Sequence, residues 1–108
     1  MKIELKPEFS TEHDEFPEMI EVDIDENASS IGQLIDKIHE QTNIPSYVEL
    51  KWEDQTEKIS CTYYVIKKGE YDDYLMITDM EEKISNFPRH GQDGAMIIVI
   101  DGRTRLAN

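Results

Sequence analysis

The chain has one cysteine, Cys61, together with four prolines, five glycines and an aromatic content of only 8%. A lone cysteine excludes an intramolecular disulfide framework and a cysteine-built zinc site. Positive charge is also scarce: 11 lysines and arginines stand against 24 aspartates and glutamates, a formal net charge of −13. Sequence-independent attachment to nucleic acid requires a basic surface, so direct binding to phosphate backbones is not expected. No apolar run approaches the roughly 20 residues of a membrane-spanning helix. Residues 1–20 lack the apolar centre of a signal peptide. At 108 residues the chain is sized for one domain with one small core. The expectation is a cytoplasmic, monomeric protein without membrane attachment.

The negative charge is unevenly placed. Residues 1–30 carry ten carboxylates and two lysines, and a second acidic run holds Glu70, Asp72, Asp73, Asp79, Glu81 and Glu82. Arg89, Arg103 and Arg105 make the C-terminal end slightly basic. Such a surface keeps a small domain soluble and apart from its own copies. It also suits a basic partner.

Periodicity predicts the elements. Ile3 and Leu5 alternate with Lys2, Glu4 and Lys6 as a short strand that Pro7 ends or marks as an edge. Ile20, Val22 and Ile24 alternate with Glu21, Asp23 and Asp25, giving one buried and one wet, negative face. Ser30 with Gln33 forms a capping-box pattern ahead of an apolar stripe, Ile31, Leu34, Ile35 and Ile38, so a helix starts there. Asn43 is placed for a left-handed closing residue and Pro45 forbids continuation. Val48, Leu50 and Trp52 read as a half-buried strand, residues 53–58 as a polar turn, residues 59–66 as one strand, and residues 74–78 as another. Asp79 and Glu82 predict a capped short helix burying Met80, Ile84 and Phe87. Met96–Ile100 is apolar throughout, as in a central strand covered on both faces. One main helix must cover a mixed sheet, with the last strand returning to its middle beside the first. The predicted class is α+β with a β-grasp arrangement over residues 1–102 and a flexible tail at 103–108.

Two stretches resemble the ubiquitin-like superfamily. Ser30–Pro45 (SIGQLIDKIHEQTNIP) is similar to ubiquitin's helix and the Ile-Pro that follows it, through Ile31, Leu34, Lys37, Ile38, Ile44 and Pro45. Ile84–Ile100 (ISNFPRHGQDGAMIIVI) is similar to the family's Leu-Ser-Asp-Tyr turn and last strand, through Ile84–Phe87 and Met96, Ile98 and Ile100. The resemblance implies a β-grasp fold and a protein-binding sheet face. On that alignment Lys51 stands where the family centres its face on isoleucine, with Ile97 and Val99 at flanking positions. Residues 53–78 form an inserted β-hairpin carrying Tyr63, Tyr64, Tyr71 and Tyr74. Conjugated modifiers and sulfur carriers of the family end in Gly-Gly. Here Gly102 stands alone before Arg-Thr-Arg-Leu-Ala-Asn, which argues against conjugation or thiocarboxylate chemistry. The small ubiquitin-like component of bacterial type VII secretion resembles this chain in lacking that tail.

Catalytic signals are weak. Asp23–Asn27 opens like a calcium loop, but Ala28 and Leu34 stand where such a loop needs Gly and Glu. His13, His39 and His90 have no ligand spacing. Cys61 has no base to activate it and reads as a buried thiol. Gly91–Gly94 lacks the lysine and preceding strand of a phosphate loop. The expectation is a protein without enzymatic activity, cofactor or metal: a non-conjugated adaptor binding a protein partner through Lys51, Tyr64, Tyr71, Tyr74, Ile97 and Val99. The alternative is an acidic inhibitor, an immunity protein or nucleic-acid-mimicking decoy, using the runs 12–26 and 70–82.

Overall fold

A computed structural model describes residues 1–9, 16–67 and 73–103. Tyr71, His13, residues 12–15 and 70–72 of the two acidic runs, and the tail from 104 onward lie outside the described residues. The architecture is mixed α+β. A five-stranded sheet has the order β2-β1-β7-β5-β6, and a two-stranded sheet is formed by β3 and β4. The strands are β1 (Lys2–Phe9), β2 (Met19–Glu21), β3 (Tyr47–Trp52), β4 (Gln55–Ser60), β5 (Thr62–Ile66), β6 (Tyr74–Met76) and β7 (Met96–Gly102), with the helix α1 (Ile31–Gln41) between β2 and β3. β1 and β7 pair in parallel, and the other pairs are antiparallel. Among the described residues no helix is long and apolar enough to cross a membrane.

The central strand explains the core. Every residue from Met96 to Ile100 is buried. Alternation sends Met96, Ile98 and Ile100 toward α1, where they join Ile3, Leu5 and Val65. Ile31, Leu34, Ile35 and Ile38 of α1 close the same cluster, with at most 4% of any of them exposed. Burial of each such side chain contributes roughly 1.5–3 kcal/mol. Ile97 and Val99 point to the opposite face and form a smaller cluster with Ile66 and Tyr64.

The start of α1 is closed completely. Ser30 Oγ accepts from Gln33 N–H at 3.2 Å and Gln33 Oε1 accepts from Ser30 N–H at 2.9 Å, the reciprocal pair expected of Ser30 and Gln33. The next two free donors are met by the 79–83 segment: Ile31 N–H reaches Glu82 O at 2.7 Å and Gly32 N–H reaches Met80 O at 2.9 Å. This approach explains Gly32, because a Cβ there would lie 2.8 Å from Met80 O.

Several boundaries differ from the sequence expectation. The helix closes without a left-handed Asn43. Thr42 is extended (φ −119°, ψ 167°), and its N–H and hydroxyl both donate to Ile38 O, at 3.0 and 2.8 Å. β1 continues through Pro7 to Phe9, because its pairing with β2 covers only Lys2–Glu4 while β7 holds the rest. The 59–66 strand is two strands. At Cys61 the chain leaves β3 and takes β7 as partner. The change is pinned by Cys61 N–H on Ser46 O at 2.9 Å and the thiol on Pro45 O at 3.4 Å. The polar turn at 53–58 is therefore a tight turn at Glu53 and Asp54, with Glu53 at φ 50°. Trp52, read as part of a half-buried strand, is 44% exposed on the β3–β4 hairpin. Asp79 starts no α-helix: its carboxylate accepts from Glu81 N–H at 3.0 Å, Met80 is exposed, and only a 3-10 turn at Ile84–Asn86 follows. The segment instead supplies the carbonyls that close α1.

Intrinsic propensity favours alanine over glycine inside a helix by about 1 kcal/mol. Gly32→Ala is nevertheless expected to destabilise the protein by about 1–3 kcal/mol, as overpacking against a fixed backbone carbonyl does. Urea denaturation of the two proteins measures the sign.

Candidate protein-docking face

The sheet face turned away from α1 is built by register. Lys6 and Tyr64 flank Val99 on β1 and β5, and Met76 of β6 lies beyond Tyr64. Tyr74 lies opposite Ile66 in the next row. The β5–β6 side of the face is thus apolar. Its floor is Ile66, Ile97 and Val99, and Tyr64 and Tyr74 stand on it edge to face, ring centroids 4.9 Å apart at 81°. Such aromatic pairs contribute about 0.5–1.5 kcal/mol beyond area burial.

The β1 side is ionic. Glu8 lies opposite Asp101 in the parallel ladder. Arg103 grips Asp101 through Nε at 3.1 Å and Nη2 at 2.9 Å, and Nη2 also lies 3.1 Å from Glu8. The hydrogen bond to Asp101 and the charges of Asp101 and Glu8 hold the guanidinium above its ordinary pKa. Between the two halves runs a shallow groove of about 280 Å³, walled by Tyr64, Tyr74 and Arg103 over Val99 and Ile66.

The six residues expected to make contact are dispersed. Tyr64 and Tyr74 come together on this face, half-buried and 51% exposed respectively. Ile97 and Val99 share the face as buried floor, 6% and 7% exposed, and offer little contact surface themselves. Lys51 belongs to the other sheet, opposite Thr56 in the β3–β4 hairpin. The hairpin also falls earlier than residues 53–78: β3 and β4 make one hairpin, while β5 and β6 belong to the main sheet. Its root meets the face in a second groove lined by Val48, Ile59, Tyr64, Asp101 and Arg103. Glu8, Asp101, Arg103 and Met76 were missed in the sequence. The Asp101–Arg103 spacing, two residues along one strand edge, was the signal for part of this cluster. Glu8 joins it only through parallel pairing.

On the other side of the sheet, His39 links α1 to β5. Ile44 O accepts from Nδ1 at 2.8 Å, and Nε2 hydrogen-bonds the Tyr63 hydroxyl at 2.7 Å. Burial first, then the charges of Cys61 and Asp36, push the Tyr63 phenol up to about 12. Burial and the Asp101 charge likewise push the Cys61 thiol up, so it stays protonated and poorly nucleophilic at neutral pH. Among the described residues no group of three or more His, Cys, Asp or Glu side chains could hold a metal ion.

Gly102 is the last residue of β7, opposite Phe9, and a Cβ there would lie 2.2 Å from the Phe9 ring. It is buried strand backbone. No family model matches the chain, and no curated protein or solved structure matches it.

A phenol with a raised folded-state pKa contributes stability below the unfolded value of about 10, and this is lost as pH rises through the folded value. Phenolate absorbance is expected to show one of the five tyrosines titrating near pH 12. Tyr63→Phe should remove that late step and flatten the loss of stability over the same pH range.

Proposed function

We propose that this chain is a ubiquitin-like β-grasp domain acting as a non-conjugated adaptor, which docks a protein with a basic surface on the sheet face opposite α1. The observation that carries the reading is the strand order β2-β1-β7-β5-β6, with the first and last strands parallel at the centre and one helix across one face. An N-terminal hairpin, a helix, then strands that flank the central pair is the chain order a β-grasp domain requires. On this order β5, not β3, takes the place of the family's third strand. Tyr64 then replaces Lys51 at the centre of the docking face, and the extra element is the β3–β4 hairpin.

The chemistry of the face favours binding over turnover. Aromatic residues anchored on a buried apolar floor are the side chains enriched at interface centres. A net charge of −13 steers basic partners toward the surface and speeds encounter. Gly102, buried in β7, is poorly placed as the reactive end of a modifier. The adaptor reading includes no catalytic step, cofactor or metal, and a cytoplasmic monomer suits its single buried thiol.

Pull-down from the native host at low and high salt, with partners identified by mass, tests this reading. The expected outcome is a protein partner retained at moderate salt and lost with Tyr64→Ala. Capture that collapses steeply with salt and is competed by DNA or RNA would replace the adaptor with the acidic-decoy alternative.

A further inference from the structure

The sheet ends differently at its two edges. At β2 the last carbonyl, Glu21 O, is covered by the Gln41 side chain at 2.9 Å, and exposed carboxylates flank the strand. At β6 no described residue pairs with the outer side. Its three side chains are apolar and open: Tyr74 is 51% exposed, Leu75 36% and Met76 52%. Natural edges are usually blunted by lysine, proline or a bulge. Among the described residues β6 has none of these, and it is short.

The direction of the free groups follows from the ladder. Lys67 N–H bonds Asp73 O and Ile77 N–H bonds Tyr63 O, at 2.7 and 2.9 Å. In an antiparallel pair, alternate residues turn both backbone groups toward the partner and the residues between turn both away. Asp73, Leu75 and Ile77 therefore face β5. Tyr74 and Met76 present their N–H and C=O groups outward, two donors and two acceptors in strand geometry.

We propose that the outer edge of β6 captures an extended segment of a partner protein as a sixth strand, a segment with alternating apolar residues and flanking lysine or arginine. The proposal rests on the docking reading above for the partner being a protein, and it names the edge rather than the face as the point of capture. Apolar side chains on one side of the added strand extend the Tyr74–Met76 surface outward, and backbone bonds supply register. The basic flanks follow from charge. β6 lies between Asp73, which also faces Lys67 at 3.8 Å, on one side and the carboxylates Asp79, Glu81 and Glu82 on the other. A second copy of this chain is disfavoured for the same reason: antiparallel pairing of two β6 strands, Tyr74 opposite Met76, would set Asp73 of one opposite Ile77 of the other with Asp79 two residues on, between molecules each carrying −13.

The probe is a capped peptide of alternating valine and threonine with two lysines at each end, titrated into the full chain and followed by amide NMR and hydrogen exchange. Bound peptide should slow exchange at Tyr74 and Met76 by about tenfold or more. Met76→Pro deletes an outward donor without breaking a bond to β5, a position where an edge strand tolerates proline. This variant should weaken binding by about tenfold or more, as should N-methylation of the peptide on its pairing side, which needs no variant to fold. Three results would overturn the proposal: no binding, binding indifferent to both changes, or a dimer of the chain alone that buries β6. Binding that is indifferent to both changes but lost in Tyr64→Ala would overturn edge capture while leaving the face as the docking site. Loss with N-methylation alongside an unaffected Tyr64→Ala would keep edge capture and remove the face.

Discussion

The parallel ladder between β1 and β7 joins residues from opposite ends of the described chain, and the other elements take their places around it. From Ile3↔Met96 to Phe9↔Gly102 the two strands run in register without a break. Because β7 is buried on both sides, it needs cover above and below. The α1 stripe covers one side, and Tyr64, Ile66 and Arg103 cover the other. β2 and β5 then have only the outer sides of this pair to join, which sets the order of the sheet. A large-to-small change at Ile98, fully buried in the ladder, would cost about 2–5 kcal/mol, a large part of the stability of a domain this small.

Elements with a single, strong pattern were legible in the sequence. The Ser30–Gln33 box, the Ile31–Ile38 stripe and the Met96–Ile100 run each have one physical solution, and each lies where periodicity puts it. The alternation of Val22 with exposed Glu21 and Asp23 is also real, although regular pairing ends at Glu21 and Val22 exchanges bonds with Met1 instead. Partner changes were not legible. Residues 59–66 are rich in β-branched and aromatic side chains, with no glycine or proline to break them, and nothing in that composition says that Cys61 hands the chain from β3 to β7. Asp79 failed for a related reason. An acidic residue that can cap a helix can equally close a turn on Glu81 N–H, and tertiary contact with α1 decided between them.

The candidate face was half legible. Tyr64 and Tyr74 are interface residue types and meet on the sheet. The third member of the groove wall, Arg103, is held by Asp101 and Glu8, residues that no sequence spacing connects across the parallel pair. The β3–β4 hairpin lies outside the main sheet and carries an exposed tryptophan and tyrosine, Trp52 and Tyr47. The molecule measures 46 Å along its longest axis and 26 Å along the other two. Its radius of gyration, 14.4 Å, exceeds the roughly 13 Å of a compact chain this long.

The closed start of α1 has a chemical consequence. Helix beginnings commonly receive phosphate or other anions, because unpaired amides and the positive end of the peptide dipole converge there. In this chain the amides of Ser30, Ile31, Gly32 and Gln33 already meet a glutamine oxygen, two loop carbonyls and a serine hydroxyl. A nucleotide or sulfate would have to displace Glu82 and Met80 to be seated there, and with them the turn that holds the helix against the sheet.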